Sequence, residues 1–142
     1  LRDFMEIQTP MVMEEIRHAI AVQKALIQTP GFEPEQFYRM DAQMHSLWFT
    51  AVKRQKLWDM LQAQQLHYTR FRMLDFITET DFPRIIGEHE QLFELICKKD
   101  LSGLEQVLKD HLYYSMKRMR HSIEVDYKDY FEEEPEENRF VI

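Results

Sequence analysis

Hydrophobic residues recur at three- and four-residue steps along most of this chain, which is the spacing of amphipathic α-helices. The first such stretch lies between Thr9-Pro10 and Thr29-Pro30-Gly31. Thr9 is predicted to cap this helix, and Pro10 suits its first turn because the proline nitrogen has no hydrogen to leave unbonded. Residues 2–8 form either a short helix of their own or a connector from a preceding segment. The apolar stripe of the predicted helix consists of Val12, Ile16, Ala19, Ile20, Leu26 and Ile27.

Four more amphipathic segments follow. Pro34 opens the second helix, and a third segment runs from about 54 to 73, either continuing the second or bending near Lys53. Residues 74–81 read as a loop in which Thr80-Asp81 caps a helix beginning at Phe82, and Asp100 or Ser102 starts the last long helix. The stripes include Phe37, Tyr38, Trp48, Phe49 and Val52; Leu57, Trp58, Leu61, Tyr68 and Phe71; Phe82, Ile85, Ile86, Leu92, Phe93 and Ile96; Leu104, Val107, Leu108, Leu112 and Met119.

The pattern predicts an all-α antiparallel bundle, and the composition agrees with it. With 142 residues, 44% of them hydrophobic, and only three glycines and five prolines, the chain suits one helical domain with a packed core. We expect a single domain over 1–142, with 1–9 as a possible connector and 132–142 as an acidic, solvated tail. Because the chain starts with Leu1 instead of Met, we expect it to be part of a longer protein.

Charge and cysteine content narrow the functional classes. A net charge of -7 provides no electrostatic footprint for DNA or RNA on this chain itself. Cys97 is the only cysteine, so no intrachain disulfide can form and a reducing cytoplasm is expected. No apolar run approaches the roughly 18 residues of a membrane span, so we expect no membrane association.

Four polar residues lie where the helical stripes should be apolar: Asp41, His45, His89 and His111. An unpaired carboxylate on a buried helix face costs several kcal/mol, so a shared partner is expected. A single histidine on such a face is more often a hydrogen-bonded core residue, but three histidines and an aspartate from three helices favour a metal ion. His18, His67 and His121 lie off their stripes and are predicted at the surface. Zinc is the first choice of metal, with nickel, manganese, iron or cobalt as alternatives.

A second set of polar residues, Arg54, Gln65 and Arg72, shares the arc of Leu57, Leu61 and Tyr68 on the 54–73 segment. A buried arginine needs an anionic partner. Two interpretations stay open: these side chains pair with interior acids or reach the bundle end, or they bind the carboxylate of a ligand, with Arg72 the first choice. Three neutral histidines and one aspartate leave a divalent ion with net positive charge and open positions for an anion. No general base or nucleophile is evident, so a binding site is favoured over a catalytic one.

The ordered motifs Asp41-x-x-x-His45, Glu88-His89, Lys99-Asp100 and Asp110-His111-Leu112 resemble the FCD domain over about residues 10–131. This is the C-terminal effector-binding domain of FadR-subfamily GntR transcriptional regulators. The resemblance implies a bundle of six or seven helices that binds a small carboxylate, commonly with a metal held at the positions of Asp41, His45, His89 and His111. It also implies a homodimer that controls an attached winged helix-turn-helix domain. Family members often have an Asn-containing turn between their third and fourth helices, at the position where this chain has Val52-Lys53-Arg54-Gln55.

The leading hypothesis is therefore a metal-dependent, carboxylate-sensing dimerisation domain of a cytoplasmic transcriptional regulator, and not an enzyme. Its partners would be a small organic acid, a second copy of the chain and operator DNA, the DNA only through an N-terminal domain that this chain lacks. One alternative is a helical-bundle enzyme, either a metal hydrolase or a DinB-like thiol transferase. Another is a purely structural metal that stabilises the bundle.

Overall fold

The computed structural model describes residues 1–63 and 81–125, and these residues form α-helices and short connections without a β-strand. The helices are α1 (Arg2–Ile7), α2 (Pro10–Leu26), α3 (Pro34–Ala51), α4 (Gln55–Ala63), α5 (Phe82–Lys98) and α6 (Leu101–Val125). The all-α prediction is thereby confirmed. The expected loop before Asp81, the positions of Gln65, His67 and Arg72, and the acidic tail lie outside the described residues.

Polar side chains start the helices where the sequence placed them. The Thr9 hydroxyl accepts a hydrogen bond from the Val12 amide at 3.4 Å, and this bond begins α2. The Asp81 carboxylate caps α5 in the same way. Of the two candidate starts for the last helix, Asp100 is the capping residue, since its Oδ1 accepts from the Gly103 amide at 3.0 Å. Each cap satisfies an amide that the helix itself leaves without an acceptor.

Two helices end with a lysine in the left-handed backbone conformation. Lys53 follows α3 with φ of 57° and Lys99 follows α5 with φ of 56°. After α3, the Arg54 amide donates to the Phe49 carbonyl at 2.8 Å and the Lys53 amide to the Thr50 carbonyl at 2.9 Å, which is a Schellman motif. The chain therefore does not continue from α3 into α4 as one helix. This chain lacks the asparagine that the family resemblance implies for this turn, and Lys53 takes the left-handed position instead.

The core of the first compact unit, Leu1–His111, forms where α2 packs against α3 and α5 and where α1 packs against α3. Ile16 and Ile20 on α2 are buried as the stripe predicted. Phe4 on α1 is fully buried, so α1 is a short helix packed in the core and not a loose connector. The buried apolar residues are Phe4, Met5, Ile16, Ile20, Phe37, Met44, Trp48, Ile86, Leu92, Ile96 and Leu104.

The inward face expected for α4 is observed only in part. Leu57 and Leu61, predicted to face the core, are 38% and 41% exposed, whereas Trp58 is half-buried. The ring of Trp58 lies against Phe49, with centroids 5.2 Å apart. Trp58, which belonged to the predicted stripe, therefore meets α3 across the Lys53 turn, whereas Leu57 and Leu61 are at the surface.

The second compact unit comprises Leu112–Ile142, of which residues 112–125 are described and helical. Leu112 and Tyr113 are more than half exposed, so the predicted inward position of Leu112 is wrong. None of the described helices combines the length and the apolar character that crossing a membrane requires.

Candidate metal centre

The four polar residues that the sequence predicted as metal ligands lie on three helices, α3, α5 and α6. Asp41 and His45 lie four residues apart on α3, so both project from one side of that helix. His89 lies on the buried face of α5, and His111 lies on α6. Asp41 is 3% exposed and His89 is 0% exposed, while His45 and His111 are partly accessible. Deeply buried groups therefore lie beside groups that solvent or a ligand can reach.

The atoms that can bind an ion lie close together. His45 Nε2 is 3.3 Å from His89 Nε2. Asp41 Oδ1 is 3.4 Å from His89 Nε2 and 3.7 Å from His45 Nε2. His111 joins this group, because one ring nitrogen from each of the three histidines lies within 4.8 Å of the others. Three imidazoles from α3, α5 and α6 thus lie together, and the Asp41 carboxylate lies beside two of them.

These separations fit the coordination of a transition metal. Nitrogen and carboxylate ligands bind zinc at about 2.1 Å, so neighbouring ligand atoms lie roughly 3.4 Å apart in a tetrahedral site and roughly 3.0 Å apart in an octahedral one. The observed distances of 3.3, 3.4 and 3.7 Å are close to the tetrahedral value. A bound divalent ion would also offset the cost of burying Asp41 among imidazoles. The three histidines can hold a metal ion, and their chemistry does not select which one.

Two residues that the sequence did not predict as site residues contact His89 and His111 at their Nδ1 atoms. Gln23 on α2 is fully buried, and its Oε1 lies 3.0 Å from His89 Nδ1. Glu88 on α5 places Oε2 2.9 Å from His111 Nδ1, while its other oxygen accepts from Arg84. A signal for Gln23 was present, because it lies three residues after Ile20 on the apolar stripe of α2. Glu88 carries no such signal, since its contact with His111 depends on how α5 and α6 pack.

Of the three residues predicted to bind an effector, the described residues include only Arg54. Arg54 is exposed and donates to Asp3 Oδ2 at 3.0 Å, so it binds a surface acid at the turn before α4. Gln65 and Arg72 lie outside the described residues. Among the other histidines, His18 is exposed as predicted, and the side chains of His67 and His121 are not among those described.

Comparison with known families agrees with this fold. A family model described as the FCD domain matches residues 1–114, and the chain belongs to that family. The FCD domain is the C-terminal domain of GntR-family transcriptional regulators. The match begins earlier and ends sooner than the motifs suggested, so α1 lies within it. No curated protein and no solved structure matched the chain.

Proposed function

We propose that this chain is the metal-dependent effector-binding and dimerisation domain of a bacterial GntR-family regulator of the FadR subfamily. The observation that carries the proposal is the meeting of His45, His89 and His111 within 4.8 Å, with Asp41 beside two of them, in a chain of the FCD family. Zinc is our first choice of ion, because the separations between ligand atoms are close to the tetrahedral value, and nickel, manganese, iron and cobalt are alternatives.

The effector would be a small organic carboxylate. A divalent ion held by three neutral histidines and one aspartate supplies a positive centre with positions open to an anion. His45 and His111 lie on the accessible side of the group, so a ligand would approach from there, while His89 and Asp41 anchor the buried side. Arg72 and Gln65 remain predicted contacts for the part of the organic acid that does not bind the ion. The surface position of Arg54 gives that residue no support in this role.

The output would be a change in operator binding by a cytoplasmic homodimer. DNA would be contacted only by a winged helix-turn-helix domain N-terminal to this chain, consistent with the acidic charge of the chain itself. An effector that binds one arrangement of the dimer more tightly shifts the population toward that arrangement. A difference of about 1–3 kcal/mol between the two arrangements is enough to switch operator occupancy.

Zinc titration of the metal-free chain tests the ion site. We expect one ion per chain for the natural sequence, and a loss of affinity of at least about 100-fold for His89→Ala, because a buried ligand is removed. His18→Ala is the matched control, since His18 is an exposed histidine on α2 and should leave the affinity unchanged. Equal zinc affinity in the His89→Ala and His18→Ala chains would contradict the proposal.

Titration of the zinc-loaded chain with di- and hydroxy-carboxylates tests the effector site. Saturable binding that disappears when zinc is removed supports sensing. If chelation lowers the melting temperature while no carboxylate ever binds, the metal is structural and effector binding is wrong. Turnover of a bound acid into a product that depends on His89 would instead identify an enzyme.

A further inference from the structure

Two histidines of the candidate metal centre, His89 and His111, each have a different hydrogen-bond acceptor at Nδ1. We propose that Gln23 and Glu88 are positioning residues, which fix His89 and His111 in the tautomer that turns Nε2 toward a shared ion. The inference rests on the proposed metal binding and assigns roles to two residues outside the ligand set. Hydrogen bonds of this kind orient ligand imidazoles in metal sites generally.

The bond from Gln23 determines the proton position on His89. A neutral imidazole carries hydrogen on one nitrogen and a lone pair on the other. An amide oxygen only accepts, so Gln23 Oε1, 3.0 Å from Nδ1, requires the hydrogen on Nδ1. The lone pair is then on Nε2, which is the atom that lies 3.3 Å from His45 Nε2. The opposite tautomer would place an N–H at the centre and exclude an ion.

Glu88 has the same effect on His111 with a charged acceptor. Its Oε2 lies 2.9 Å from His111 Nδ1, and a carboxylate oxygen accepts from an Nδ1–H. Arg84, one turn earlier on α5, donates to the other oxygen and so holds the carboxylate in orientation. A charge-assisted hydrogen bond makes the ring a stronger donor to metal than an amide does. Of the two rings, His111 has the charged acceptor and His89 is the more deeply buried one.

The two bonds act on different rings and join different helices. Gln23 ties α2 to His89 on α5, whereas Glu88 ties α5 to His111 on α6. A variant at one position should therefore change the tautomer of one histidine and leave that of the other intact. General loosening of the fold would disturb both rings together.

The experiment uses the whole chain with Gln23→Leu, Glu88→Ala and Glu88→Gln. The control is Glu94→Gln, which removes a carboxylate from an equivalent pair with Lys98, one turn apart on the same helix but away from the histidines. Nitrogen-15 NMR of the metal-free protein at about pH 8, well above the pKa of a free imidazole, reports the tautomer of each ring. Competition with a chromophoric chelator measures zinc affinity.

We expect Gln23→Leu to change the His89 tautomer alone and Glu88→Ala the His111 tautomer alone. Each should weaken zinc binding by about 10- to 100-fold. Glu88→Gln keeps an acceptor oxygen, so it should preserve the tautomer and lose less affinity than Glu88→Ala. Glu94→Gln should match the natural chain in both measurements. If Gln23→Leu fails to fold, Gln23→Met, which also lacks the amide oxygen, replaces it in both measurements, and the contrast between the two Glu88 variants decides the role of Glu88.

Unchanged tautomers in these variants, or zinc affinities equal to that of the natural chain, overturn the positioning roles. Failure of the proposed function looks different. In that case the natural chain binds no zinc, although the NMR spectrum of the metal-free protein still shows no hydrogen on Nε2 of His89 and of His111.

Discussion

At the residue scale, the groups that surround each position determine which side chain is stable there. Asp41, His89 and Gln23 are buried polar residues on three different helices, and each lies near another polar group. The two helical glycines show the same dependence on surroundings. A Cβ on Gly87 would meet nothing within 4 Å, whereas one on Gly103 would lie 2.8 Å from both Asp100 Oδ2 and Leu95 Cδ2.

Gly87→Ala should raise the free energy of unfolding by about 1 kcal/mol, because alanine favours the helix and open space surrounds the new methyl group. Gly103→Ala should give no such gain, since its methyl group displaces the Asp100 cap, whose loss costs about 1 kcal/mol. Urea unfolding followed by circular dichroism compares the two variants. Equal stabilisation in both would show that Gly103 has no packing role.

At the scale of elements, local signals explain where helices start better than which way they face. Thr9, Asp81 and Asp100 cap helices as their sequence context predicted. The stripe predicted for α4 is only partly right, because Trp58 contacts Phe49 across the turn whereas Leu57 and Leu61 are exposed. Lysine at the turn is also unexpected, since left-handed residues other than glycine carry a conformational cost of roughly 1–2 kcal/mol.

Lys53→Gly should therefore stabilise the chain by about 0.5 kcal/mol, as relief of the left-handed conformation exceeds the entropy cost of glycine. The same substitution at Lys109, an exposed residue inside α6, should destabilise it by about 1 kcal/mol. Urea midpoints for both variants provide the measurement. Destabilisation by Lys53→Gly would show that the lysine side chain contributes more than its backbone costs.

At the scale of the whole molecule, the first helix belongs to the structure that holds the site. Phe4 is fully buried against the same core as Phe37 and Met44, and α1 packs on α3, which carries Asp41 and His45. The family match also includes α1. The first helix therefore packs on the helix that carries two of the four candidate ligands, Asp41 and His45.

Phe4→Ala should lower the free energy of unfolding by about 3–5 kcal/mol, the cost of a large cavity in a core. Ile7→Ala is the matched control, because Ile7 lies on the same short helix and is 52% exposed; its cost should stay below about 0.5 kcal/mol. Thermal or urea unfolding distinguishes them. A small effect of Phe4→Ala would indicate that α1 is only a connector.

By itself, the sequence determined the helical class, most helix starts and the three histidines that the structure brings together. Those properties depend on neighbours within a few positions along the chain, so spacing and capping chemistry reveal them. Only the tertiary structure decided that Gln23 and Glu88 contact the histidines, that α4 turns Trp58 and not Leu57 inward, and that Arg54 binds Asp3. Each of these depends on the rotation and approach of separate helices, which packing determines and local sequence does not encode.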